Sequence, residues 1–262
     1  MSVDPKTKNI LVIIAAVGAI IIGSLLIYGI LVTPTRQPYR DALTQYENVN
    51  RANDALNVAG SKLNAGEATD EAFKESISKA QTALTSLRTE NTALSKEEAL
   101  KDGEGKAAYE AFDIKLQPYL TYNENVLVSM LKVRPALLTC SKNSTSVTET
   151  QKSVDDIRAC VASLDVQKDI PDSDYAQLVV SFKSDYSRLA DILQQIVALK
   201  DPKGVDSAQH KELTDELTQA TEELSTTSTT FTRSVQQHRS EVLPVSASKQ
   251  LESYLSSKSR LF

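Results

Sequence analysis

Apolar and polar positions follow two patterns along this chain. From Ile10 to Val32 a stretch of about 23 residues carries no charge and is bounded by Lys8 and Arg36. A helix of that length crosses a hydrocarbon core of about 30 Å with modest tilt. After Pro34 the apolar residues become periodic, with recurrences three and four apart that place them on one helix face.

The first periodic run is Ala42, Tyr46, Val49, Leu56 and Leu63, with Asn53 and Gly60 occupying slots of the same stripe, so this helix is expected to pack imperfectly. The cleanest run is Phe73, Ile77, Ala80, Leu84, Leu87, Asn91 and Leu94, whose alternating steps suit a helix packed along another helix. Asn91 is its one polar occupant. Ser95 with Glu98 forms a capping-box pattern before the turn at Gly103 and Gly105. A third run, Tyr109, Phe112, Leu116, Leu120, Leu127 and Met130, contains Pro118, which should bend the helix, and Pro135 is expected near its end.

Thr148 and Gln151 suggest a cap for a fourth helix through Val154, Ile157, Val161 and Leu164, and Asp169 to Ser173 reads as the next turn. A strong amphipathic run from Tyr175 through Phe182, Leu189 and Ile196 to Leu199 ends at Asp201, Pro202 and Gly204. The last run, Leu213, Leu217, Ala220, Leu224, Phe231, Val235 and His238, crosses a Ser/Thr-rich stretch from Ser225 to Thr230 that lowers helix propensity. Leu243 and Pro244 break it.

The pattern therefore predicts an all-α protein: an N-terminal transmembrane helix, then an elongated antiparallel bundle of about six helices, or two three-helix bundles. The expected organisation is a short tail over residues 1–9, an anchor over 10–33, a first bundle over 34–134, a second over 135–243, and a C-terminal tail over 244–262. The absence of Trp, 5% aromatic residues and 8 Gly fit long helices burying Leu, Ile, Val and Ala better than a turn-dense β domain.

The uncharged run exits through Ile30, Leu31, Val32, Thr33 and Pro34, without the small-residue pattern of a cleavage site, so an uncleaved anchor is preferred to a signal peptide. Lys6 and Lys8 on one flank nearly balance Arg36 and Arg40 on the other, which leaves the charge rule for orientation almost neutral. The two cysteines tip it. Cys140 and Cys160 are an even pair in an otherwise cysteine-free chain, as a single disulfide in an oxidising compartment would be. The expected topology has a cytoplasmic N-terminus and an extracytoplasmic C-terminal domain. Bridging the pair requires the polar stretch after Cys140 to fold back along the fourth helix. Within the anchor, Ala15, Ala19 and Gly23 share a face on which a second membrane helix could pack closely.

A net charge of −5 without a basic cluster argues against nucleic acid as a partner. No catalytic, cofactor or metal constellation emerges. His210 and His238 lack acidic residues at ligand spacing, with Ser207 and Val235 in the relevant places. Ser-x-x-Lys at Ser76/Lys79, Ser129/Lys132 and Ser246/Lys249 has none of the companion motifs of serine acyl enzymes. The adjacent acids Glu97/Glu98, Asp155/Asp156 and Glu222/Glu223 point to different parts of a helix surface. The expectation is a non-enzymatic protein of the cell envelope that requires no cofactor. Its partners are the bilayer and a protein or a second copy of itself, met through Tyr39–Arg51 or Leu251–Phe262. The alternative is an extracytoplasmic bundle that senses a small ligand between its helices and signals through a partner.

Overall fold

The computed structural model describes residues 36–63, 69–144, 150–165, 167–199 and 207–260. The expected anchor, with Ala15, Ala19 and Gly23, lies outside the described residues, as does Thr148 of the expected cap. Among the described residues there are helices and no strand, and no helix is long and apolar enough to cross a membrane.

Helix α1 covers 36–63, α2 Asp70–Leu94, α3 Gly103–Ser144, α4 Gln151–Asp165, α5 Ser173–Leu199, α6 Ser207–Val242 and α7 Val245–Arg260, with a 3₁₀ turn at Glu98–Leu100 between α2 and α3. The starts follow helix-end chemistry. The Thr69 hydroxyl accepts the Ala72 amide at 3.2 Å, and Asp70 and Glu71 sit in the first turn of α2, where the helix dipole favours negative charge. At α4 the cap is Thr150, whose hydroxyl accepts the Ser153 amide at 3.3 Å. The Ser95/Glu98 box does not form. The Ser95 hydroxyl donates instead to the Thr92 carbonyl at 2.8 Å, and α3 starts only at Gly103, at φ +55°.

Two expectations about the helices need correction. Helix α3 does not end near Pro135; it runs 42 residues to Ser144 with Pro118 and Pro135 inside it. Each proline removes an amide donor and crowds the carbonyl four residues back, at about 3 kcal/mol. Downstream of Pro135, Ala136 and Cys140 are buried, as is Val133 just before it, and this keeps the last turns helical. The 244–262 stretch is not a tail, because Leu243 and Pro244 only separate α6 from α7, whose Ala247, Leu251 and Leu255 are buried. Within the segments expected to meet a partner, some side chains are engaged inside the fold. Tyr46, which is buried, donates its hydroxyl to the Ser248 carbonyl at 2.9 Å, and the Tyr39 and Tyr254 rings meet edge to face at 6.1 Å.

The contacts divide the chain into two compact units, a different line from the sequential split between 134 and 135. Among the described residues, one unit takes 36–52, Leu87–Asp113 and 245–260. Ala42, Tyr46, Val49, Leu87, Leu94, Leu100, Phe112, Leu251 and Leu255 form its interior. Asn91, the polar occupant of the α2 stripe, is buried there, donates to Asp113 at 2.8 Å and receives the Tyr109 hydroxyl at 3.3 Å.

The other unit takes Asn53–Ser86 and Ile114–Pro244. Its core is a cluster of Val133, Ala136, Cys140, Val154, Ile157, Cys160, Leu164, Leu189, Leu193, Ile196, Leu213 and Ala220, among others. Helix α5 packs against α4 and against α6. Both pairs are antiparallel, since Lys183 meets Asp165 and Gln194 meets Gln151, while Arg188 meets Glu223 and Asp185 meets Thr227. At the start of α2, Arg134 donates to the Thr69 carbonyl at 3.1 Å and stacks over Phe73 at 4.0 Å.

Two glycines give opposite expectations. A Cβ on Gly105 would lie 1.8 Å from the Ala99 carbonyl oxygen, which is backbone and cannot move aside alone. Gly105→Ala should lower the unfolding free energy by about 2–4 kcal/mol. A Cβ on Gly60 meets nothing within 4 Å, so Gly60→Ala should raise it by about 0.5–1 kcal/mol. Chemical denaturation of the two variants checks both signs.

Candidate functional site

Among the described residues, the buried carboxylates gather where α3, the start of α5 and the end of α6 meet. Ser129 on α3 is fully buried and its hydroxyl accepts the Asp172 amide at 3.0 Å. Asp172 then caps α5, its Oδ1 accepting the amides of Asp174 and Tyr175, each at 3.1 Å. Asp172 and Asp174 are 5% and 8% exposed, so these two carboxylates stand well inside the fold. On the neighbouring turn, Lys132 donates to the carbonyl of Asp169, whose φ is +54°. The Ser129/Lys132 pair is therefore occupied in holding the α4–α5 connection, with no nucleophilic role in these contacts.

Helix α6 reaches the same place from the other side. The Ser234 hydroxyl donates to Asp174 Oδ1 at 2.6 Å, and His238 Nδ1 bonds Asp174 Oδ2 at 2.8 Å. Ser234 and His238 lie one turn apart on α6, so a single carboxylate holds two successive turns. Tyr122 on α3 donates to the Val235 carbonyl at 3.1 Å, and Arg239 donates to Asn57 Oδ1 on α1 at 2.9 Å, an oxygen that also receives the Tyr119 hydroxyl at 3.3 Å.

Burial shifts the acids of this junction, and the Asp174 carboxylate shifts its histidine. Burial pushes the Asp172 carboxyl up, opposed by the amides it caps and reinforced by the Asp174 charge. Tyr122 is pushed up to about 12 and Tyr175 higher still, first by burial and then by the same carboxylates. His238 is raised, first by its hydrogen bond to Asp174 and then by that carboxylate's charge.

Beside the junction, the α5–α6 seam opens into a cleft of about 240 Å³. Leu178 and Phe231 give it apolar surface, Gln177, Ser181, Thr226, Thr227 and Thr230 give it amide and hydroxyl groups, and Asp174 and Ser234 lie at the junction. Chemically, the junction is a bridge. Ser234 and the imidazole bind different oxygens of one carboxylate, whereas a serine nucleophile needs its proton directed at the base. Among the described residues no three His, Cys, Asp or Glu side chains gather as metal ligands.

Of the residues singled out in the sequence, Cys140 and Cys160 stand at disulfide distance, with Cα atoms 4.6 Å apart. They join the end of α3 to α4 within the core, and both are buried. Ser141–Ser144 continue α3 as its last turn, and the rest of the polar stretch expected to fold back along α4 lies outside the described residues. The Asp174–His238 pair was invisible to local spacing, since 64 residues separate its members. The nearest local trace is Asp172, two residues before Asp174, at the N-cap position of a strongly periodic helix. Comparison with protein-family models, curated proteins and solved structures finds no match to this chain.

Two outcomes follow from this geometry. Asp172→Ala removes the one oxygen that accepts both amides and should cost about 1–2 kcal/mol, while Asp172→Asn, which still offers an oxygen, should cost less; urea unfolding of the pair separates a cap from a general polarity effect. Reducing the Cys140–Cys160 pair, whose members are 20 residues apart, should lower stability by about 3 kcal/mol in the loop-closure picture. Denaturation with and without reductant, alongside the double serine variant, measures it.

Proposed function

We propose that this chain is a single-pass membrane-anchored helical protein of the cell envelope, non-enzymatic, acting through protein–protein contact or scaffolding. The observation that carries the reading is the uncharged run from Ile10 to Val32, long enough to span a bilayer and followed directly by charged, helix-forming sequence. The cysteine pair at disulfide distance supports an extracytoplasmic position for the helical part, because such bonds persist in oxidising compartments. Lys6 and Lys8 beside the run are consistent with a cytoplasmic N-terminus. The bilayer is then one partner. The other is a protein, or a second copy packed through Ala15, Ala19 and Gly23.

A second reading, a ligand-sensing bundle that signals through a partner, draws on the α5–α6 cleft, whose mixed polar and apolar lining suits a small molecule between helices.

Fractionation of cells expressing the full chain tests the anchor, and crosslinking on intact cells tests the contact role. The chain should stay with membranes through alkaline washing and leave them only in detergent, and one protein, or the chain itself, should be captured reproducibly. Recovery of the intact polypeptide in the detergent-free soluble fraction would refute the anchor. Binding of a small molecule that is lost in Thr230→Leu would favour the sensing role over scaffolding.

A further inference from the structure

The α5–α6 seam changes chemistry along its length. Around Leu193, Ile196, Leu213 and Ala220 it belongs to the apolar core, while at the opposite end it is held by the carboxylate of Asp174. That carboxylate is more than nine-tenths buried, and an ionised carboxylate in such a place depends on the partners it keeps. Its two partners differ. Ser234 gives the same neutral hydrogen bond at any ordinary pH, whereas His238 supplies a positive charge only while its imidazole is protonated.

We propose that the Asp174–His238 bridge is a proton-dependent latch, which holds the last turns of α6 against the first turn of α5 when His238 is charged and loosens them when it is not. The surroundings of His238 set the sense of the response. From the start of α5 it faces Asp174 and Asp172; from its own helix, Glu241 is near and Arg239 is turned to Asn57; from α3, Tyr122 is bonded to the Val235 carbonyl. The acidic groups favour the imidazolium, and deprotonation leaves Asp174 beside Asp172 without a cation at the bridge.

A histidine raised in the folded state contributes its full stabilisation below its unfolded value near 6.5. That contribution is lost as pH climbs through the raised folded value, so alkalinity releases the latch. Imidazole that is neutral can still donate through Nδ1, and 45% of the His238 side chain is exposed, so the release is local and graded. The cleft between α5 and α6 shares Asp174 and Ser234 with the latch, which ties its width to the same proton. This inference goes beyond the anchored-scaffold reading and does not depend on it.

The test uses the purified full-length chain in mild detergent. His238 is one of two histidines, so its ring signal is assigned by comparison with His238→Gln, and its NMR titration midpoint should lie above 6.5. Amide-exchange protection of residues 231–242, taken relative to α4, should fall about threefold to tenfold between pH 6 and pH 9. His238→Arg, which keeps its charge, should abolish that fall and retain protection at pH 9, and His238→Gln should be less protected at both values. A midpoint at or below 6.5 in the unmodified chain overturns the latch whether or not the variants fold. So does a fall in protection that His238→Arg reproduces unchanged.

Discussion

A 42-residue helix with two internal prolines persists only where its flanking turns are held from outside. In α3 the holding force is burial: Leu116, Tyr119, Leu120 and Leu127 around and beyond Pro118, then Val133, Ala136 and Cys140 around Pro135, are all nearly inaccessible to water. Helix α3 contributes to the interiors of both compact units, as do α1 and α2, and so the units are built from separated pieces of chain. Without continuous apolar stripes, none of these long, Ser- and Thr-rich helices would be stable in water.

Burial also decides which polar groups the interior keeps. Asn91 lies in an apolar stripe and is retained with partners from α3. Asp172 lies at a chain reversal and is retained because it satisfies two amides that α5 would otherwise leave open. Asn53 is the contrasting case, since its Oδ1 is buried with no hydrogen-bond partner, in the α1 stripe that also contains Gly60. Gly60 lines a small cavity of about 60 Å³ with Leu56, Leu63, Ala80, Tyr122 and Tyr175. The imperfect packing foreseen for α1 is thus located at two named positions, each with a different defect.

Helix existence was legible because the three-and-four spacing is a direct record of burial. Phe73 to Leu94 and Tyr175 to Leu199 are helical as their stripes require, and the stripe residues Ile77, Leu84, Leu87, Leu178, Leu189 and Ile196 are buried. Helix ends were less legible. Pro135 carries a strong local stop signal that tertiary burial overrides, and Pro244 separates two helices because the stretch beyond it has its own stripe, Ala247, Leu251 and Leu255. The polar junction was the least legible part. Nothing in the local windows of Ser129, Asp172, Asp174, Ser234 and His238 links them; α3 brings Ser129 to Asp172, and the antiparallel return of α6 along α5 brings Ser234 and His238 to Asp174.

The composition of α6 fits its place at that seam. Between Ser225 and Thr232 its residues are poor helix formers, and the hydroxyls of Thr226, Thr229 and Thr232 bond the carbonyls four residues back, a pattern that satisfies them locally without adding contacts to neighbours. The N-terminal half of the helix is held by Leu213 and Ala220 in the core, but this middle stretch borders a cleft. Beyond it, Phe231 stacks edge to face on Tyr175 at 4.9 Å, and Ser234 and His238 bond Asp174. The far turns of α6 therefore owe their position to a few directional contacts, where the near turns owe theirs to an apolar core that is indifferent to pH. A change confined to those few contacts moves one end of the helix and leaves the bundle standing.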